Sequence, residues 1–356
     1  MRKVCIITTS LGKGGAERST ALLSKMLSNL GCEVHILMTK NDVDYSFSGT
    51  LFNLEKEYGA NLSSVKKFRI LRRYFKKHHF NVLIDSRTRP TFLKEYLLYN
   101  YVFKAKKKIA VVRSCFFKNY FPANKQLAKI LYKKGTILVG VSQEISDLIK
   151  ETYGLSSVIT IHNAVAIHDI ELQANINIEI KDNYIIWYGR LEEKVKNLSL
   201  LLEAYKKSSL PGKNIKLFIL GGGRDRNFLK TKIKALELTN QVSLLPFNKN
   251  PYPYIKKALF TTLTSRFEGF PRVLIESLAC DVPIVSVNCK SGPKEIIEHQ
   301  FNGLLVENHD IGALAKAFDS FIENKTLYNY CKKNTRSSVD KFSIENITPK
   351  WKELLM

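Results

Sequence analysis

The feature that most constrains this chain is a rhythm played twice: short, almost unbroken apolar runs alternate with amphipathic stretches long enough to be helices. A short run without polar alternation suits a strand buried on both faces, the situation of a parallel sheet with helical crossovers. The first series of runs falls at residues 4–8, 33–38, 82–85, 109–113, 137–141 and 157–161, with helices predicted at 17–30 and after Ser142, a suitable N-cap. The second falls at 184–188, 215–220, 242–244, 259–264 and 284–287, with helices at 198–208, 226–236 and 271–278 and a helical turn at 294–298. Between the two series, residues 166–183 have weak periodicity and several Asn and Asp, the composition of a linker. With 356 residues to divide, the pattern predicts an α/β protein of two doubly wound, Rossmann-like domains, residues 1–165 and 184–338, facing a central cleft. Ligands of such sheets bind beyond the carboxyl ends of the strands.

Composition excludes several classes. Hydrophobic residues at 45% and charged residues at 25% argue against a disordered or fibrous chain. No run of about 18 apolar residues occurs, so no membrane-spanning helix is predicted, and the apolar stretch after Met1-Arg2-Lys3 is too short for a secretory signal. A cytoplasmic protein is expected. Cys5, Cys32, Cys115, Cys280, Cys289 and Cys331 are scattered, without a C-x-x-C pair or a Cys/His cluster, which points to reduced thiols and no zinc site. The charge is the unusual quantity. Residues 1–165 hold 28 Lys and Arg against 11 Asp and Glu, whereas the remainder holds 28 against 21. So basic a first half implies an anionic partner: a membrane surface, a nucleic acid or a phosphorylated substrate.

Three clusters carry candidate chemistry. Gly12-Lys13-Gly14-Gly15-Ala16-Glu17 follows the first predicted strand and opens a helix, where bare N–H groups favour an anion. Its spacing is not that of a dinucleotide fingerprint, and a tight connection is the alternative reading. Gly189-Arg190-Leu191, followed by Lys194 and Lys196-Asn197, places cations at the end of a strand and beside a helix start; these suit a diphosphate, or else form a solvated basic loop. The third, Arg266-Phe267-Glu268-Gly269-Phe270-Pro271-Arg272-Val273-Leu274-Ile275-Glu276, sets one glutamate on a turn and another about two turns into the following helix. Two carboxylates so spaced can accept hydrogen bonds from sugar and ribose hydroxyls, although a lone Glu on a helix is more often solvated.

Together with Val141-Ser142, His162-Asn163-Ala164-Val165, Gly292-Pro293-Lys294-Glu295-Ile296-Ile297 and Asn302-Gly303-Leu304-Leu305-Val306, these clusters resemble, in order and spacing, the retaining glycosyltransferases of family 4, also termed group 1. That family includes sucrose synthases, mannosyltransferases of phosphatidylinositol and capsule or O-antigen enzymes. The resemblance implies a GT-B fold with an acceptor-binding first domain, a donor-binding second domain, and a last segment, 339–356, whose helix near 341–355 returns to the first domain. It implies that Arg190 and Lys196 hold the donor diphosphate, Glu268 the transferred sugar and Glu276 the ribose. Glu268, Arg190 and Lys196 become the candidate catalytic residues. Backbone groups of Gly14, Gly15, Gly189, Gly269, Phe270, Pro271 and Val273 would contact phosphate or sugar, and the base would lie near 221–223 and 245–247, against Gly222 and Phe247. No cofactor and no metal are implied; the donor is expected to be a UDP-sugar, a hexose or N-acetylhexosamine, with a GDP-sugar possible. Two departures stand out: Arg113 occupies a position where many relatives carry a catalytic-site His, and the loop from Arg190 to Lys196 is one residue longer than the commonest version, which keeps Lys194 in competition with Lys196.

The basic half bears on the acceptor. Residues 65–79 set apolar Val65, Phe68, Leu71 and Phe75 on one helical stripe and cations around the rest, a helix packed on its own sheet or resting on anionic lipid. Asp85-Ser86-Arg87-Thr88-Arg89 at a strand end offers two guanidinium groups to an acceptor diphosphate, or is an exposed loop. The expected acceptor is a lipid-linked or anionic glycan, and the expected location the inner face of the plasma membrane, peripherally bound. Two rivals remain: a sugar-nucleotide epimerase or phosphorylase of the same architecture, and a nucleic-acid-binding protein, for which no recognised motif is found.

Overall fold

The apolar runs pair into two sheets in which every strand pairing is parallel. The structure, a computed structural model, describes residues 1–132 and 135–356 and divides into a first unit, residues 1–164 with 344–356, and a second, residues 165–343.

In the first unit Lys3–Thr8 (β1), Glu33–Met38 (β2), Thr50–Asn53 (β3), Val82–Asp85 (β4), Lys107–Val112 (β5), Thr136–Gly140 (β6) and Val158–Thr160 (β7) lie in the order β3-β2-β1-β4-β5-β6-β7. In the second, Tyr184–Tyr188 (β8), Lys216–Leu220 (β9), Val242–Leu245 (β10), Thr261–Leu263 (β11), Ile284–Val287 (β12) and Gly303–Val306 (β13) lie in the order β10-β9-β8-β11-β12-β13. The central strands are covered by helices on both faces: β4, β8, β11 and β12 are buried at every residue. In each sheet the strand order reverses once, between β1 and β4 and between β8 and β11, and such a reversal opens a crevice at the carboxyl ends.

Helices complete the cores. Leu198–Lys207 buries Leu198, Leu201, Leu202 and Tyr205 and packs on Ile311–Glu323, which contributes Leu314, Phe318 and Phe321. The stripe read at 65–79 is the helix Ser64–His78, capped by the Ser63 hydroxyl accepting from Lys66 N and ended by His79 in the left-handed region at φ 48°. It buries only Leu71 and Phe75.

The structure departs from the sequence reading at three places. Two edge strands, β3 and β13, were not expected; each is four residues long and only half buried, too little for an apolar run to stand out. Residues 166–183, read as linker, contain the helix Ile167–Ala174, which buries Ile167, Ile170 and Ala174 against the helices Tyr252–Lys256 and Arg272–Ala279 of the second unit. Three apolar positions in eight residues make a weak period. The last helix starts at Ile344, after a single turn at Asp340–Phe342, and packs on Gly15–Asn29 through a face that includes Ile347, Trp351 and Leu355.

Candidate active site

In the second unit the carboxyl ends of β8 and β11 carry most of the residues singled out above. Beyond β8 the chain turns at Gly189, φ 151°, and runs close to the loop after β9: Gly189 N donates to Leu220 O at 3.0 Å and Leu191 N to Gly222 O at 2.9 Å. A Cβ on Gly221 would stand 1.9 Å from Gly189 O and one on Gly223 2.3 Å from Leu191 O, so only glycine permits this approach. The one-turn helix Glu193–Lys196 follows and stops at Asn197, left-handed at φ 49°, whose Oδ1 accepts from Arg266 Nη2 at 2.7 Å. Arg266 N donates to Val195 O at 2.8 Å and Thr264 Oγ1 to Lys196 O at 3.0 Å, which fastens this helix to the loop after β11.

That fastening decides which lysine faces the carboxylate. Lys196 Nζ donates to Glu268 Oε1 at 2.6 Å, and Ser265 Oγ donates to the same oxygen at 2.6 Å. The pair keeps 19% and 13% of its side-chain surface exposed, open enough for a ligand to reach. Lys194 is exposed. Arg190 is also exposed, with no hydrogen bond or ion pair to the described residues, so it stands unengaged at the end of β8.

The turn after Glu268 is clamped from behind. Glu268 N donates to Lys290 O at 3.0 Å and Ser291 Oγ to Gly269 O at 2.7 Å. Gly292, at φ 100°, lies where a Cβ would meet Pro271 Cδ at 2.5 Å. Pro271 then caps the helix Arg272–Ala279 without a side-chain bond of its own. Glu276, 3% exposed, sits one turn into that helix. A carboxylate is buried at tolerable cost only when paired and hydrogen-bonded. Arg272 supplies the pairing, Nε at 3.1 Å and Nη2 at 3.0 Å from Oε1, and the Tyr188 hydroxyl, which donates to Val273 O at 2.7 Å, also lies 3.4 Å from Oε2. Burial first, and then the charge of Glu276, pushes the nearby Cys280 thiol well above its ordinary range. Sequence reasoning passed over Arg272; the signal was its i,i+4 spacing to Glu276.

Farther along the same sheet Gly222 and Phe247 adjoin, a Cβ on the glycine falling 3.6 Å from Phe247 Cβ. Gly221 N donates to Leu245 O at 3.1 Å, and Phe247 keeps 37% of its surface exposed.

In the first unit Gly14 and Gly15 open the helix Gly15–Asn29 that follows β1; Gly14 is extended, at φ −174°, and Arg18 N returns to its carbonyl at 2.9 Å. The reading of Arg87 and Arg89 as groups offered to an acceptor is corrected. Both are buried and already engaged. Asp85 accepts from Arg87 Nε at 3.0 Å and Nη2 at 2.8 Å, and Arg87 Nη2 also reaches Glu95 Oε2 at 2.9 Å. Arg89 donates to the carbonyls of Asp85, Arg87 and Val111 at 3.1, 2.7 and 2.8 Å and to the Tyr132 hydroxyl at 2.9 Å. These guanidiniums brace the fold. Arg113, by contrast, donates to Asn163 Oδ1 at 3.0 Å, Thr20 Oγ1 at 3.3 Å and Ser86 Oγ at 3.4 Å. One Asp-x-Asp triplet, Asp42-Val43-Asp44, lies beyond β2, and among the described residues no three His, Cys, Asp or Glu side chains are grouped to hold an ion.

Comparison with known proteins accords with this arrangement. Residues 13–169 match the model of glycosyltransferase family 4 and residues 169–338 that of glycosyl transferases group 1. The N-acetylgalactosamine-N,N'-diacetylbacillosaminyl-diphospho-undecaprenol 4-alpha-N-acetylgalactosaminyltransferase of Campylobacter jejuni is 32% identical over 96% of this chain and 96% of its own length. Among solved structures, TarM of Staphylococcus aureus aligns over 100% of both chains with a TM-score of 0.81 at 16% identity. Anabaena HepE in complex with UDP aligns over 100% of this chain and 99% of its own with a TM-score of 0.76 at 17% identity. The structural matches establish the fold, and the match along almost the entire Campylobacter sequence establishes the family: the chain belongs to the retaining glycosyltransferases of family 4, built on the GT-B fold.

Proposed function

We propose that the protein transfers an N-acetylhexosamine or hexose from UDP to a lipid-linked glycan in surface-glycan assembly, without a divalent ion. The observation that carries this reading is the 2.6 Å contact of Lys196 with Glu268, set beside the unengaged Arg190 at the strand-order reversal of the second sheet. Arg190 and Lys196 take the diphosphate and Glu268 the transferred sugar, so cations and a sugar-binding carboxylate meet where the glycosidic phosphate bond breaks. As the bond breaks, charge accumulates on the leaving diphosphate, and cations already in place stabilise it without reorganising. Glu276 takes the ribose hydroxyls, Gly222 and Phe247 flank the base, and backbone groups of Gly189, Gly269, Phe270, Pro271 and Val273 line the sugar and phosphates.

The choice of UDP is supported by the nucleotide bound in the TarM and HepE structures, and that of the acceptor by the diphospho-undecaprenol substrate in the Campylobacter relative's name. Incubation with a panel of nucleotide sugars and EDTA, with and without bacterial lipid extract, tests the reading. Nucleotide release from a UDP-sugar only when extract is present supports transfer; conversion of the sugar without extract supports an epimerase instead.

Two smaller expectations follow. Glu276→Ala removes the ribose acceptor and is expected to weaken UDP binding by about tenfold or more, the scale of a charge-assisted hydrogen bond, with a smaller effect on turnover at saturation. Calorimetric titration with UDP reads it, and unaltered affinity refutes the ribose role. No helix among the described residues is long and apolar enough to cross a membrane. The helix Ser64–His78 instead exposes Lys66, Arg69, Arg72, Arg73, Lys76 and Lys77. The adjoining stretch Leu98–Val102 packs on it and, with the turn before, leaves Leu97 and Tyr101 exposed. Each cation near an anionic surface contributes about 1 kcal/mol, so sedimentation with phosphatidylglycerol vesicles is expected, declining as salt rises. Equal sedimentation with neutral phosphatidylcholine vesicles counts against it.

A further inference from the structure

The two carboxylate oxygens of Glu268 are held differently. Oε1 accepts from Lys196 Nζ and from Ser265 Oγ, each at 2.6 Å, whereas Oε2 accepts no hydrogen bond among the described residues. The Glu268 side chain is partly open to solvent, while Ser265 is wholly buried. The backbone beneath the carboxylate is fixed as well, through the 3.0 Å bond from Glu268 N to Lys290 O. Both supports of the pair come from one short segment. Thr264 and Ser265 follow β11 directly and are both buried; the Thr264 hydroxyl donates to Lys196 O at 3.0 Å, and the Ser265 hydroxyl to Glu268. Two neighbouring hydroxyls therefore secure the two members of the pair, one through its backbone and the other through its side chain.

We infer that Ser265 is a positioning residue for the donor sugar: it fixes the Glu268 carboxylate so that Oε2 is the oxygen that accepts from a sugar hydroxyl. The terminal torsion of a glutamate is broad and roughly two-fold, so a single contact does not decide which oxygen faces a ligand. Lys196 alone is a poor anchor for it. An ammonium on a flexible four-carbon stem has three rotatable donors and follows the carboxylate as it turns. Ser265 differs, because its hydroxyl sits on a short side chain attached to buried backbone and donates from a nearly fixed point. A carboxylate accepts and does not donate, so the proton in this bond belongs to the serine. Both bonds have the short length of charge-assisted contacts, and together they commit Oε1 to the protein. Oε2 is then an acceptor already in place when the sugar arrives, which spares the carboxylate a reorganisation during transfer.

The inference rests on the proposed meeting of Glu268 with the transferred sugar, and UDP, which lacks that sugar, serves as the control ligand. Ser265→Ala removes the donor, and Ser265→Cys keeps nearly the same volume with only a weak donor. Each is made alone and together with Glu268→Ala. Three quantities are measured: kcat/KM for the UDP-sugar that wild type transfers with lipid extract, UDP affinity by calorimetry, and melting temperature. Both single Ser265 variants are expected to lose about tenfold in kcat/KM, the scale of a hydrogen bond to a charged group, with UDP affinity and melting temperature unaltered. Neither is expected to lose more once Glu268 is alanine, because Ser265 acts through that carboxylate. Wild-type kcat/KM in Ser265→Ala, full activity in Ser265→Cys, the same tenfold loss in the Glu268→Ala background, or a loss that tracks lowered UDP affinity or melting temperature overturns the inference and leaves the role of Glu268 standing. Unaltered kcat/KM in Glu268→Ala overturns that role and the inference with it, and a wild type inactive with every UDP-sugar and extract defeats the proposed function itself.

Discussion

Lys196→Ala and Arg190→Ala are each expected to lower turnover by about a hundredfold or more, the loss seen when a preorganised group facing developing charge is deleted. The two reach that loss by different routes. Arg190 has no partner among the described residues, so its removal leaves the folded protein otherwise intact and takes away only charge presented to the ligand. Lys196 is paired with Glu268 at 2.6 Å, so its removal also leaves Glu268 Oε1 with Ser265 Oγ alone and loosens the residue proposed to meet the sugar. Lys196→Ala is therefore expected to do at least as much damage as Arg190→Ala. Lys194→Ala is the internal control: the side chain is exposed while Lys196 takes the contact with Glu268, and activity is expected to stay within about twofold, the range of surface substitutions. Steady-state kinetics on the three variants decides the matter. Wild-type turnover in both Arg190→Ala and Lys196→Ala, or a severe loss in Lys194→Ala alone, refutes the assignment.

The largest expected effect on stability lies in the other unit. Asp85→Ala leaves Arg87 and Arg89 buried without the carboxylate between them, and removal of one partner of a buried ion pair costs about 3–5 kcal/mol. Against a total stability of about 5–15 kcal/mol that is a large fraction. Glu95 still faces Arg87 at 2.9 Å and Arg89 keeps its carbonyls, so the lower end of the range is expected. Burial works against ionisation of Asp85, but the Arg87 and Arg89 charges and the hydrogen bonds from Arg87 outweigh it and hold the carboxyl below its ordinary range. A folded-state pKa below the unfolded value makes the contribution complete above about pH 4 and lost as pH falls through the depressed value. Urea denaturation at neutral pH reads the loss; a midpoint shift worth under about 1 kcal/mol shows that the network is not the brace described here.

Most of the strand frame is legible in the chain because strands buried on both faces leave continuous apolar runs: residues 184–188 and 284–287 are read from sequence with the bounds that β8 and β12 have in the structure. The strands β3 and β13, each four residues long and half buried, leave a weaker trace. The site is legible only as residue types in order. Lys196 and Glu268 are 72 positions apart, and nothing local distinguishes Lys196 from Lys194; the distinction comes from the one-turn helix and the Thr264 and Arg266 bonds that hold it. The same blindness to partners made Arg87 and Arg89 look available. Their side chains are typical of a phosphate site, yet Glu95, Tyr132 and the Val111 carbonyl, which consume them, are brought in by the fold. Arg113, one strand away, has the same chemistry and a different set of neighbours.

The proposed function requires a pyrophosphoryl group held in the second unit by protein cations alone. Calorimetric titration of UDP and of uridine in the presence of EDTA measures this directly, because the two ligands differ only in the diphosphate. UDP is expected to bind at least about a hundredfold tighter than uridine, from two charge-assisted contacts, with the difference collapsing in the Arg190→Ala, Lys196→Ala double variant. Equal affinity for the two ligands, or a preference for UDP that emerges only on adding magnesium or manganese, contradicts it.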